Sequence, residues 1–383
     1  MNLPTPLSGP RFGSYRPDEV SWLLTDLSGA DLEAPAEERE EAVQSGGAHY
    51  AESLPVEYQP SQEYQRLFLD ALARGARRVA LGVAVVAEVL RAERGPDLML
   101  ASLARAGTPV GILLRRWAAR QGLHWPHVAV SIVRGRGIDE LALRWAAGQH
   151  DPAQIVFVDG WTGKGAIVRE LSAALAALDA GFSDDLAVLA DPGRCVRTFG
   201  TREDYLVPSA CLNSTVSGLV SRTVLNDRLI GPGQFHGAKF YAELAPADLS
   251  QRFLDEVTAC FDDVAPEVPG AVAAVRSGDR QASFTGWAEV ERVSEHYGIG
   301  DVNLVKPGVG ETTRVLLRRV PWRVLVRPEA ELAHPDDLAH VRLLADQRGV
   351  VVEEVPGLSY SAIGLIHPRF TRGATGADGR AVS

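Results

Sequence analysis

The chain has 383 residues, 46% of them hydrophobic, and a formal net charge of −10. This length supports roughly two or three domains with a sizeable core, and the acidity excludes a protein whose whole surface wraps nucleic acid or lies on an anionic membrane, while leaving room for a local basic patch. No run approaches the roughly 18 apolar residues of a membrane span. Met1-Asn2-Leu3-Pro4 opens no basic stretch followed by an apolar core, and Cys195, Cys211 and Cys260 are few and widely spaced, so a reduced, cytoplasmic protein is expected.

Residues 1–35 are rich in Pro, Gly and Ser and predict a loosely packed arm. The charged run Glu37–Glu41, the segment Gln44–Tyr50 and the stretch Glu57–Pro60 show no periodicity and read as loop or lid. Ser61 is placed to cap a helix running through Ala73, since Tyr64, Leu67, Phe68, Ala71 and Leu72 recur at helical spacing. Val79–Val86 reads equally as a strand or as the start of a helix. Leu98–Leu103 predicts a buried strand, followed by a helix from Val110 to Arg120 with Pro109 near its first turn. A strand at Val128–Val133, a helix at Ile138–Ala147, a strand from Ile155, a helix to about Leu178 and a strand at Leu186–Leu189 complete an alternation typical of a parallel α/β sheet. Beyond a predicted linker, Val302–Glu354 reads as a small α/β module with a helix at Thr313–Arg319, a strand at Arg323–Val326, a helix at Asp336–Arg348 and a strand at Val350–Glu354. Residues after Pro368 read as a disordered tail.

The stretch Ile155–Gly165 carries the strongest chemical signal. Apolar residues run into Asp159, then into the small-residue loop Gly160-Trp161-Thr162-Gly163-Lys164-Gly165, then into a helix. An acid at the carboxyl edge of a buried strand, beside glycine amides at a helix N-terminus, suits an anionic ligand, most naturally a phosphate. The spacing is neither a Walker loop nor a G-x-G-x-x-G fingerprint. A second loop, Ala104-Arg105-Ala106-Gly107-Thr108-Pro109, repeats the arrangement with an arginine. Two such loops on one sheet edge suit a ligand with two separated phosphates, with Arg105 offering paired donors.

The two loops resemble the 5-phosphoribosyl-1-pyrophosphate (PRPP) loop and the pyrophosphate loop of type I phosphoribosyltransferases. The whole chain, through Gln44–Tyr50, Ser102–Gly111, Val156–Ile167, Tyr205–Thr223, Gln234–Tyr241 and Pro307–Trp322, resembles a bacterial family found with tellurium-resistance and stress operons. In that family a phosphoribosyltransferase-like domain precedes a PELOTA-type RNA-binding domain, and the first domain also carries the label cysteine protease StiP. The resemblance implies a type I phosphoribosyltransferase-like parallel sheet with flanking helices and a hood, plus a small α/β PELOTA-like domain. Expected boundaries are 1–75 for arm and hood, 76–265 for the core, 266–295 for a linker, 296–370 for the second domain and 371–383 for the tail.

It further implies that Asp159 accepts from ribose hydroxyls, that the amides of Thr162–Gly165 hold the 5-phosphate, and that Arg105–Thr108 face the pyrophosphate. Magnesium would bridge that pyrophosphate, with Asp159 in indirect contact. Asp159, Arg105 and Lys164 are then the catalytic candidates. Ala106, Gly107, Thr108, Gly160, Trp161, Thr162, Gly163, Gly165, His236 and Lys239 are the substrate-binding candidates, and His49 and Tyr50 belong to the hood. The loop is shorter than the usual motif, has one acid where many members have two, and places Trp161 where purine-type enzymes put an aspartate, which leaves the acceptor base open. The alternative is a cysteine peptidase in which Cys211, among small hydroxyl residues, pairs with His236. In the second module, the Pro307–Thr313 turn with Lys306, Arg314, Arg318 and Arg319 predicts contact with an RNA backbone. A non-catalytic RNA-associated protein is the third reading, and the oligomeric state is left open.

Overall fold

The computed structural model describes residues 3–34, 51–57, 60–334 and 337–367. His49, Tyr50 and the tail after Pro368 lie outside the described residues.

The first domain is built on a six-stranded, all-parallel sheet. Its elements are β1 (Ser21–Trp22), α1 (Gln62–Arg94), β2 (Met99–Leu103), α2 (Thr108–Arg120), β3 (His127–Val130), α3 (Glu140–Ala147), β4 (Ile155–Trp161), α4 (Ala166–Leu178), β5 (Leu186–Ala190) and β6 (Thr198–Thr201). The spatial order is β1-β3-β2-β4-β5-β6. Strands β2 and β5 are buried at every residue, as strands covered on both faces must be. The chain reverses direction across the sheet between β2 and β4, so the loops leaving those strands flank a crevice at their carboxyl ends.

Three expectations change. The arm is not loosely packed: Trp22 is sealed, stacks on Tyr15 and meets the edge of Phe12, and Ser21 pairs in register with Val128. Aromatic packing of this kind outweighs a Pro/Gly-rich composition. The helix capped by Ser61, whose side chain accepts the Tyr64 N–H at 3.2 Å, does not stop at Ala73. It continues to Arg94 and absorbs Val79–Val86, so the expected boundary at residue 75 falls inside one helix. Its middle is apolar all round because it lies against both the sheet and other helices, and that removes the periodicity by which a helix is recognised. Finally, the predicted linker 266–295 contains two helices, α6 (Val268–Ser277) and α7 (Thr285–His296), after α5 (Ser250–Ala259).

The second domain is a four-stranded mixed sheet with helices. Its elements are β7 (Val305–Pro307), α8 (Val309–Arg318), β8 (Pro321–Val326), α9 (Ala339–Gln347), β9 (Val351–Glu354) and β10 (Ala362–Ile366), in the spatial order β7-β10-β8-β9. Strand β10 pairs antiparallel with both β7 and β8 and is buried throughout, so the last strand in the sequence is an interior one. Among the described residues no helix is long and apolar enough to cross a membrane.

Candidate active site

The two loops named from the sequence meet at the crevice. A Cβ on Gly107 would collide with the Val158 carbonyl oxygen, so the absence of a side chain there lets this loop lie against the end of β4. Asp159 lies between them, and the Gly160 N–H donates to its Oδ1 at 2.8 Å. Burial pushes its carboxyl up to about 6, against the pull of the Arg314 guanidinium and the Gly160 amide. A cavity of about 170 Å³ opens here, lined by Ala104–Ala106, Asp159 and Trp161 together with the 209–217 segment and Arg314.

In the second loop, Gly165 adopts φ 80° and starts α4 without any side-chain cap. No described residue accepts from the amides of Gly163, Lys164 or Gly165, which leaves a cradle of N–H groups at the positive end of a helix. Thr162 does not belong to it. Its N–H donates to the Ala190 carbonyl at 2.9 Å and its hydroxyl to Asp191, so it ties the loop to β5.

Other candidates are committed to the protein. The Arg105 guanidinium donates to the Val220 carbonyl at 2.8 Å and lies 3.8 Å from Glu57, which itself accepts from Ser214. It therefore lines the cavity as an anchored cation rather than a free fork. Thr108, in the first turn of α2, is sealed with an unpartnered hydroxyl. Lys239 pairs with Glu33 at 2.8 Å and donates to Ala30, and His236 Nδ1 is 2.8 Å from the Ser131 hydroxyl while its backbone N–H donates to Asp139. Neither residue lines the cavities around Asp159.

The pairing of Cys211 with His236 does not form. Cys211 is fully buried in the core, its carbonyl accepts from the Tyr64 hydroxyl at 2.8 Å, and burial pushes its thiol up to about 12. Cys195 is equally sealed, with its Sγ 3.9 Å from the Gly163 carbonyl, and is also pushed up to about 12, first by burial and then by Asp191.

Sequence reasoning missed that the second domain sits on this loop. The Lys164 ammonium donates to the Val302 carbonyl and, at 3.0 Å, to the Val305 carbonyl, while the Tyr360 hydroxyl donates to Gly163 at 3.1 Å. Burial, followed by repulsion from Lys306 and Arg134, lowers Lys164 to about 7. Trp161 packs against Gly310, with the Arg314 guanidinium 4.5 Å from the centre of its ring. Lys306, Arg314 and Arg319, expected on an RNA backbone, line a cavity of about 350 Å³ between the domains, and the Gly308 turn is already engaged through the Val309 N–H, which donates to Asp204. The Arg318 side chain lies outside the described residues. One sequence signal could have hinted at this packing: Gly310 interrupts the first turn of a basic helix where a larger residue would have better helix propensity.

A parallel α/β domain with a ligand crevice at its crossover, closed by a small mixed domain, is thus the class of protein defined here. The chain belongs to the family described as tellurite-like stress resistance cysteine protease StiP, whose model matches residues 13–258, and residues 284–368 match the PELOTA RNA binding domain. A relative from Acinetobacter baylyi, named cysteine protease StiP, is 34% identical over 328 residues, which is 82% of this chain and 84% of the relative. A solved hypothetical protein from Neisseria gonorrhoeae with bound ppGpp aligns at 16% identity and a TM-score of 0.21, over 30% of this chain and 66% of that one, just under two thirds of its length. The fold assignment rests on this chain's own strand order.

Proposed function

We propose that the first domain binds a phosphoribosyl ligand such as PRPP in the crevice between β2 and β4, and transfers or removes its phosphoribosyl group on a nucleobase-like acceptor. The observation that carries this reading is the juxtaposition of a half-buried carboxylate, Asp159, with the amides of Gly163–Gly165, from which no described residue accepts, on one side and the Arg105–Ala106 turn on the other. A carboxylate that is costly to keep ionised suits a site where a ligand's hydroxyl groups donate to it. Among the described residues no group of three or more His, Cys, Asp or Glu side chains could hold a metal. Magnesium in this reading enters on the ligand's phosphates, with Asp159 the carboxylate shared by both cavities. Calorimetric titration with PRPP and magnesium tests the reading. Saturable heat that Asp159→Ala abolishes supports it, and absent heat, or heat unchanged in that variant, removes it.

The second reading is a thiol peptidase, favoured by the family description and by the relative's name. It requires a cysteine to become a thiolate beside a base, and Cys211 would have to leave the core to do so. Selective alkylation of Cys211 in the folded protein, with loss of proteolysis, supports it. For the second domain, the PELOTA match supports RNA binding, and salt-sensitive RNA affinity is the corresponding test.

A further inference from the structure

The larger cavity lies where the two domains meet. One wall is the loop Thr162–Ala166 of the first domain, and the other carries Lys306, Arg314 and Arg319 of the second. Arg134 brings the cations to four, joined by Lys164 in its protonated form, against the carboxylates Asp159 and Glu311. In a chain of net charge −10 this is a concentrated positive field inside a walled space, which draws and holds anions.

Several of these cations are fixed in advance. Lys164 is held by the two carbonyls of the second domain, Arg134 donates to Asn303, and Arg314 is pinned by Glu311 at 2.7 Å and by the Trp161 ring. Fixed donors neutralise an incoming charge without the entropy cost of ordering long side chains. Gly163, Lys164 and Gly165, from whose amides no described residue accepts, border the same space, and a volume of about 350 Å³ lies within the range of small-molecule sites. An extended RNA strand is a poorer fit: Asp204 already accepts from the first amide of α8, and Trp161 covers the helix at Gly310.

We propose that the interdomain cavity is a phosphomonoester site built by both domains, in which the Gly163–Gly165 amides and the side chains of Lys306, Arg314 and Arg319 together hold the phosphate of a phosphorylated ribose, free or at the 5′ end of an RNA. The proposal rests on the phosphate reading of the Asp159 loop. It adds that the second domain completes the small-molecule site, so its cations serve binding of the phosphate itself.

The test is calorimetry on the full chain with five probes: PRPP, ribose 5-phosphate, ribose, and one short oligoribonucleotide in 5′-phosphorylated and 5′-hydroxyl forms. Ribose 5-phosphate is expected to bind and ribose not. Arg314→Ala should weaken the phosphate by at least about tenfold, the loss of one charge-assisted hydrogen bond. Arg314→Lys should recover part of it, and Arg342→Ala, whose guanidinium pairs with Glu331 outside the cavity, should change nothing. An Arg314-dependent preference for the 5′-phosphorylated oligonucleotide over its hydroxyl form assigns the phosphate to an RNA end, and binding of the sugar phosphate alone assigns it to a free ligand. Ribose binding as well as its phosphate, equal binding of both oligonucleotides with no binding of ribose 5-phosphate, or indifference of phosphate binding to both Arg314→Ala and Lys306→Ala, overturns the proposal. PRPP binding that depends on Asp159 but not on Arg314 also overturns it and leaves the proposed function standing. Arg314-dependent binding of ribose 5-phosphate without any PRPP binding does the reverse.

Discussion

Asp204 of the first domain caps the helix that opens the core of the second: its Oδ1 accepts the Val309 N–H at 3.0 Å, while its Oδ2 accepts the Ser361 N–H at 2.7 Å. One carboxylate thereby ties α8 and the approach to β10 to the segment after β6. Its Oδ1 accepts an N–H group that the start of a helix leaves without an intrahelical partner, and here that group comes from the other domain. The docked arrangement is therefore specified by side chains and not by a covalent tether alone.

This contact gives domain docking a pH dependence. Burial pushes the Asp204 carboxyl up to about 6, whereas an exposed aspartate titrates near 4. Between those values the docked form binds more protons than the undocked one, so the carboxyl's contribution is fully present below about pH 4 and weakens as pH rises through 6. Thermal melts of the wild type and Asp204→Asn from pH 4.5 to pH 7.5 should show the wild type gaining on the variant by about 1–2 kcal/mol toward acid. A difference that does not change with pH contradicts this.

Gly310 packs α8 closely on the first domain, where a Cβ would come within about 2.5 Å of the Trp161 Nε1. Alanine normally favours a helix over glycine by roughly 1 kcal/mol, so Gly310→Ala in an undocked domain would stabilise. In the docked protein overpacking prevails, and a net loss of about 1–3 kcal/mol is expected, together with a shift in tryptophan emission as Trp161 is displaced. Increased stability with unchanged emission would show that this contact does not form.

Lys164 predicts proton uptake on ligand binding. Its pKa of about 7 reflects burial and cationic neighbours, and a phosphate at Gly163–Gly165 would raise it toward the ordinary lysine value. Titrations with ribose 5-phosphate at pH 8, in buffers of different ionisation enthalpy, should report uptake of a fraction of a proton, absent in Lys164→Met. Proton release would mean that the anion binds elsewhere.

Cys211 predicts silence. With the thiol sealed and pushed up to about 12, N-ethylmaleimide should modify half-buried Cys260 in the folded protein, and should reach Cys211 and Cys195 only after denaturant is added. Rapid labelling of native Cys211 would favour the peptidase reading.

The strands of the first domain were legible because Met99–Leu103, broken only by Ser102, and Ile155–Val158 are apolar and end in small-residue loops, a pattern that suits a sheet covered on both faces. The position of Asp159 near the carboxyl end of its strand, ahead of a glycine turn into a helix, followed from the same local logic. What was not legible depends on partners distant in sequence. The middle of α1 loses its periodicity because apolar surfaces surround it, and β10, with Gly364 at its centre, is defined by antiparallel pairing to strands far upstream. Arg105 reads as a free fork until Val220 and Glu57 are brought against it, and Lys239 until Glu33 is. Lys306 and Arg314 read as an RNA surface for the same reason: which side of α8 meets solvent depends on a domain interface that neither half encodes alone.

The most direct test of the central claim is a crystal structure of the protein soaked with PRPP and magnesium. The 5-phosphate is expected within hydrogen-bond distance of the Gly163–Gly165 amides, and the ribose hydroxyls on Asp159. Electron density for the ligand away from this loop, or a crevice left empty at saturating PRPP, would contradict it.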